Sequence, residues 1–455
     1  MSWSQLAGSV AAGVAVTAIA ATCRALWSRR RVPRALHHRV SRRGYLATVL
    51  RTSRDHDVAG LDAFVPNLQP SGGSGVLHDI QAEWERINGA LGVRLVTREH
   101  QDCLRAGAEL LSRGIEVRVA AAAADSDDLS YHVFSGRLHH TVLNHRDGDR
   151  DRPNRLDGMS PAKVFQTHFE DVWARSAPLE AVLADHLLRS LRRCGDLAEI
   201  ADRLRDLRTR YRLDPVAEEA VVRHFAFRHS APVVFVTGLP GAGKSLLRRR
   251  LAAKLTAMRF QVDELTDYVY AYHDFMHRVM RLDGNRGTGF TAEAGGAFRV
   301  SSEQDLTPAL TALAQRVWRN QGGTPVTLVE FARSDVVEAL NTFGAAVLSS
   351  ARVIHVRAPA EVRSARLESR AQPPRLEVVE PSINVIVSDD HRLPSAVAES
   401  IYASDNFGRL RAHEGVVGRV HAIDNEVDDP GHARLDEALT GFIEEVVRPY
   451  RALSA

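Results

Sequence analysis

Gly238-Leu239-Pro240-Gly241-Ala242-Gly243-Lys244-Ser245 follows directly on an apolar run, Pro232 to Thr237, and precedes a helix-forming stretch from Leu246 to Met258. A strand, a glycine-rich turn and a helix in that order leave few folds open. Glycines let the backbone bend until successive N–H groups point at one anion, and the helix adds its positive N-terminal end. The spacing Gly-x-x-x-x-Gly-Lys-Ser is matched without a departure, which assigns Gly238 through Leu246 to the phosphates of a nucleotide. In this arrangement Lys244 reaches the β- and γ-phosphates and the Ser245 hydroxyl ligates Mg²⁺. ATP and Mg²⁺ are therefore the expected cofactors.

Composition sharpens the reading of Lys244. Of the 59 basic side chains counted as Lys or Arg, only Lys163, Lys244 and Lys254 are lysine. A generic positive charge in this chain is written as arginine, so a lysine needs a specific reason. The net charge of +3 over 455 residues announces no polyanionic partner, and nucleic acid is not expected. An apolar fraction of 44% belongs to a folded protein, and the length suggests two or three domains. Cys23, Cys103 and Cys194 lie too far apart for a zinc or disulfide pattern.

Further strand candidates at Val326–Phe331, Arg352–Val356 and Val420–Asp424 alternate with helical stretches. This alternation predicts a three-layer α/β/α domain over 229–455, its parallel sheet covered on both faces. The next partner wanted is an acid at the end of another strand. Glu330 supplies it, to hold the Mg²⁺ shell or orient the attacking group, and Arg333 would face the transferred phosphoryl. Asp263, Glu264 and Asp267 cluster after the expected second strand. One of them, Asp263 first in order, would take the proton of a hydroxyl acceptor. Gly284, Gly287, Gly289, Gly295 and Gly296, with Arg286 and Arg299, suit a segment that closes over substrate.

Residues 232–450 resemble the nucleoside monophosphate kinase group of P-loop kinases and related small-molecule kinases. Phe331-Ala332-Arg333 is similar to the group's Phe-Pro-Arg, with alanine in place of the proline. Arg366-Leu-Glu-Ser-Arg370, after Val353 to Val356, is similar to its lid-helix arginine pair. Ile423-Asp424-Asn425 is similar to the strand end beside the adenine. The resemblance implies transfer of the γ-phosphoryl of ATP, with Arg366 and Arg370 stabilising transition-state charge and Asn425 at the nucleotide. The acceptor is not identified by it. A regulatory ATPase, in which nucleotide state controls an accessory domain, is the competing reading. A polynucleotide end kinase would need a basic stripe, and Arg248, Arg249 and Arg250 cannot share one helix face.

The region ahead of this domain predicts a smaller α/β unit over 45–190, followed by a helical connector over 191–228. Its elements are a strand at Val93–Thr97, a helix from Cys103 to Gly114, a strand at Glu116–Ala122 and a hairpin pairing Tyr131–Phe134 with Thr141–Asn144. Residues 145–158 read as an exposed loop, and Phe165, Phe169 and Trp173 mark one face of a helix. Residues 90–190 weakly resemble one half of a phospholipase D-like domain. That group's His-x-Lys pair is present only as His132-x-Phe134, which implies a degenerate domain used for sensing or pairing. His139, His140 and His145 lack the spacing of a metal site.

Finally, Leu6 to Cys23 is an uncharged 18-residue stretch followed by Arg24, Arg29, Arg30, Arg31 and Arg34. A helix of that length spans about 27 Å. With the charge asymmetry it predicts a single membrane span, N-terminus outside and the remaining domains in the cytoplasm.

Overall fold

The computed structural model describes residues 37–39, 44–70, 76–90, 92–120, 129–137, 139–147, 150–191, 196–280, 289–292, 298–300, 302–320, 325–369, 376–379, 384–387, 406–426 and 432–454. These fall into two compact units, 1–182 with 206–218 and 183–205 with 219–455. Both are mixed α/β with parallel strand pairs. Where one connector was expected, the helices Leu197–Tyr211 and Pro215–Ser230 are each divided between the units.

The first unit is built on strands β1 (His37–Arg39), β2 (Val58–Phe64), β3 (Val93–Arg98), β4 (Glu116–Ala120), β5 (Leu129–Gly136), β6 (His140–Asp147), β7 (Arg150–Asp157) and β8 (Ala177–Pro178). They form one sheet in the order β1-β7-β6-β5-β2-β3-β4-β8. Phe165, Phe169 and Trp173 on the helix Met159–Arg175 pack with Phe64, Val96 and Tyr131, as the spacing predicts. Residues 150–157, expected within a loop, instead form a third antiparallel strand against β6. Charges that suggested a loop find partners in the sheet: Asp157 Oδ1 meets Arg155 Nε of its own strand at 2.8 Å and His140 Nδ1 of β6 at 2.7 Å. His132 is buried beneath Tyr45, whose hydroxyl is 3.0 Å from its Nδ1, and burial pushes its pKa down to about 3. Phe134, two residues on, is fully buried.

The second unit holds β9 (Val233–Thr237), β10 (Val262–Thr266), β13 (Val326–Glu330), β14 (Arg352–Arg357) and β17 (Val420–Asp424). All pair in parallel, in the order β10-β13-β9-β14-β17. Two short hairpins, β11 (Phe290–Ala292) with β12 (Phe298–Val300) and β15 (Leu376–Val379) with β16 (Asn384–Val387), complete the strands. The central strands β9 and β13 are buried along their whole length, which is why their sequences run Val-Val-Phe-Val-Thr and Val-Thr-Leu-Val-Glu without alternation. Phe235, Val329 and Phe331 pack with Leu313 of the helix Thr307–Asn320 and with Leu340, Phe343 and Val347. The helix following the glycine-rich loop, Lys244–Ala257, is tied to the C-terminal helix Ala433–Ser454 by Arg250 Nε on Asp436 Oδ1 at 2.9 Å.

One expectation is corrected. Among the described residues no helix is long and apolar enough to cross a membrane, so the single-pass assignment is withdrawn. The stretch Leu6–Cys23 lies outside the described residues. Its Ala and Gly content supplies little transfer free energy for insertion.

Candidate nucleotide site

Parallel strands deliver their C-terminal ends to one edge of the sheet, and the glycine-rich loop leaves β9 at that edge. Gly243 has φ +99° and caps the helix Lys244–Ala257; a Cβ there would lie 2.3 Å from Asn425 Nδ2. Gly238, at φ +136°, would put a Cβ 2.3 Å from the carbonyl oxygen of Val356. Only glycine fits this close approach. Within the loop, the Ala242 amide donates to Leu239 O at 3.1 Å, and Lys244 Nζ donates to the same carbonyl at 3.1 Å.

Neighbouring strand ends complete the loop's surroundings. Asn425 follows β17, donates from Nδ2 to Ala242 O at 2.8 Å, and accepts at its carbonyl from Arg366 Nη1 at 3.1 Å. Arg366 lies on the helix Ala360–Ser369, so the structure brings Lys244, Asn425 and Arg366 together around one loop. Arg370 lies outside the described residues, as do Gly284, Arg286, Gly287, Gly295 and Gly296. Leu246 is on the first turn of the helix, half-buried.

Glu330 ends β13, the strand between β9 and β10, and therefore emerges beside the loop. Ser245 Oγ donates to its Oε1 at 2.7 Å. On the other side Arg248 Nε stands 3.2 Å from Oε2. Lys244, Arg248, Glu330 and Arg333 are each 9% exposed or less. Charges that deep require partners, and the cluster holds both signs. A hydroxyl and a carboxylate in contact at a strand end are hard oxygen donors, the chemistry that suits Mg²⁺.

The acidic cluster is arranged differently from the expectation. Asp263, Glu264 and Asp267 were expected to cluster after the second strand, but β10 runs through Thr266. Asp263 and Glu264 are thereby adjacent strand residues on opposite faces. Asp263 accepts from Asn320 Nδ2 and has Arg316 Nη2 at 3.9 Å, three residues short of the strand's C-terminal end. Asp267 begins the next helix, at the site edge, and its carboxylate accepts from Arg333 Nη1. Arg333 also donates to Ala332 O and Leu306 O, at 2.6 and 3.1 Å. Its guanidinium is thus directed at Asp267 in this structure. Glu303 closes the same corner by accepting from the Ser334 amide at 2.6 Å.

Sequence reasoning missed Arg248 and Glu303. For Arg248 a signal was present: it lies four residues after Lys244, on the same side of the helix. The run Arg248-Arg249-Arg250 separates into three roles, with Arg248 on Glu330, Arg249 exposed and Arg250 on Asp436.

No protein-family model matches the chain, and no curated relative is similar to it. Solved structures to which parts of it are similar include Kti12 from Chaetomium thermophilum in complex with ADP-AlF3, at 17% identity, covering 47% of this chain and 99% of that one, with a TM-score of 0.30. A gluconokinase from Sinorhizobium meliloti 1021 is 14% identical, covering 49% of this chain and 93% of its own, with a TM-score of 0.27. Nuc, a phospholipase D family member from Salmonella typhimurium, is 15% identical, covering 31% and 96%, with a TM-score of 0.26.

Proposed function

We propose that residues 229–455 bind Mg²⁺·ATP and transfer its γ-phosphoryl group to a hydroxyl of a small acceptor. The observation that carries this reading is the Ser245–Glu330 hydrogen bond, 2.7 Å long, beside a complete phosphate-binding loop at the C-terminal edge of a parallel sheet. Backbone amides of 238–245 and Lys244 hold the β- and γ-phosphates, and Lys244 exchanges the Leu239 carbonyl for phosphate oxygens. Ser245 and Glu330 would hold Mg²⁺, which when bound neutralises charge on the phosphates. Arg366, anchored on Asn425, stands at the nucleotide end and adds positive charge where the transition state gathers negative charge. Arg370, its lid-helix partner in the resemblance, belongs to the same proposal.

Asp267, rather than Asp263, is assigned to the acceptor. In the transfer, the acceptor oxygen forms a bond to the γ-phosphorus as the bond to the β,γ-bridging oxygen breaks and ADP departs. The hydroxyl proton passes to the Asp267 carboxylate, which Arg333 holds in place. The test is a phosphoryl-transfer screen with γ-labelled ATP over nucleosides, nucleotides, sugars and other small alcohols, with Lys244→Ala as the control. Lys244-dependent labelling of one acceptor class supports the proposal. Lys244-dependent hydrolysis with no labelled acceptor would instead make the protein a nucleotide-hydrolysing switch.

A further inference from the structure

Glu330 carries the expected metal chemistry, yet it does not face the site alone. From one helix, Ser245 Oγ donates to its Oε1 at 2.7 Å, and Arg248, one turn deeper, brings Nε to 3.2 Å from Oε2, an ion pair outside hydrogen-bond geometry. The same Nε is 3.5 Å from Glu264 Oε2. Strand register explains the second contact. Glu264 pairs with Leu328, and Thr266 with Glu330, so Glu264 and Glu330 share the sheet face that the helix Lys244–Ala257 covers. Two carboxylates on one face, one of them buried, repel each other unless a cation sits between them. Arg248 is that cation, with its side chain only 11% exposed.

A cation fixed against a metal-binding carboxylate has a chemical consequence. The guanidinium and a divalent ion both draw on Glu330, and they repel each other at close range. We propose that Arg248 is a positioning residue that holds Glu330 Oε2 and, by its charge, keeps the site from binding a divalent metal until the phosphates of a nucleotide arrive. Metal and nucleotide then enter as one complex, because only the added phosphate charge outweighs the guanidinium. Ser245 and Oε1 of Glu330 remain the side presented to that complex. The proposal rests on the nucleotide-site reading above.

The test measures Mn²⁺ binding to the full chain by electron paramagnetic resonance, with and without ATP. Wild type is expected to bind Mn²⁺ tightly only when ATP is present, and Lys244→Ala to lose that binding. If wild type shows no ATP-dependent Mn²⁺ binding, the nucleotide-site reading itself fails. Arg248→Met removes the cation and is expected to tighten nucleotide-free Mn²⁺ binding at least tenfold. The gain should be absent from the Arg248→Met, Glu330→Gln double variant. Arg248→Gln, which keeps a polar side chain at the buried position, gives the same direction should the methionine variant not fold. Arg248→Lys restores a positive charge and is expected to return binding to within threefold of wild type. Nucleotide-free Mn²⁺ binding of the Met and Gln variants within threefold of wild type, in a protein whose wild type passes the ATP test, overturns the role of Arg248.

Discussion

At Gly243 a single hydrogen atom separates a working loop from a collision. The residue sits at φ +99°, and the space a Cβ would need is occupied by the Asn425 amide, 2.3 Å away. Placing alanine in the left-handed region costs about 1–2 kcal/mol before any clash is counted. Gly243→Ala should therefore lower stability in denaturant titrations by at least that much and weaken ATP binding at least tenfold; a variant with unchanged binding would remove this glycine from the site. Asp267 and Asp263 provide a second contrast at this scale. Because Asp267 meets Arg333 at the strand-end edge while Asp263 is tied to Asn320, Asp267→Asn should cut kcat by about 10²-fold or more. Asp263→Asn should leave it within a few-fold of wild type. Steady-state kinetics with the identified acceptor distinguishes the two, and the reverse ranking would return the base role to Asp263.

Two helices carry predictions about elements. Val336–Asn341 is a short helix capped by Asp335, whose carboxylate accepts from the Val337 and Glu338 amides, each at 3.1 Å. Losing such a cap costs about 1 kcal/mol, which Asp335→Ala should show as a lower unfolding midpoint. In the helix Pro215–Ser230, His224 stacks on Phe260 with ring centroids 4.0 Å apart, and burial pushes its pKa down to about 3. The unfolded chain takes up a proton near pH 6.5 that the folded chain refuses until far lower pH. Stability from this histidine is complete above about pH 6.5 and is lost as pH falls towards 3; at pH 5 the loss is about 2 kcal/mol. Unfolding measured at pH 7 and pH 5 should show that loss in wild type and a smaller one in His224→Leu. Equal pH dependence in both would contradict it.

Which elements were legible follows from the same physics. β9 and β13 are buried on both faces and read as unbroken apolar runs. β10, Val-Asp-Glu-Leu-Thr at the sheet edge, has no such run, and its carboxylates were placed after the strand rather than in it. β7 hid its strand character behind arginines and aspartates, and Asp157 meets His140 only once β6 lies beside it. The turn ahead of Lys244 was legible because local sequence sets it, and the place of Glu330 at the end of β13 because the apolar run Val326–Val329 stops there. Arg248 was legible only in part: its place four residues after Lys244 can be read from the chain, but its proximity to both Glu264 and Glu330 depends on the strand register that sets them on one face.

For the whole molecule, two units contribute unequal chemistry. In the first, His132 is neutral and buried under Tyr45, with Phe134 fully buried two residues on. In the second, Lys244, Ser245, Arg248, Glu330, Arg366 and Asn425 are tied around one loop. The central question is whether these residues make a single Mg²⁺·ATP site. Titration calorimetry of ATP into wild type, Lys244→Ala and Glu330→Gln, each with Mg²⁺ and with chelator, measures this directly. The expected result is tight binding by wild type that weakens at least tenfold with chelator, strong loss in Lys244→Ala, and loss of the Mg²⁺ dependence in Glu330→Gln. Binding by Lys244→Ala equal to wild type, or an undiminished Mg²⁺ effect in Glu330→Gln, would contradict it.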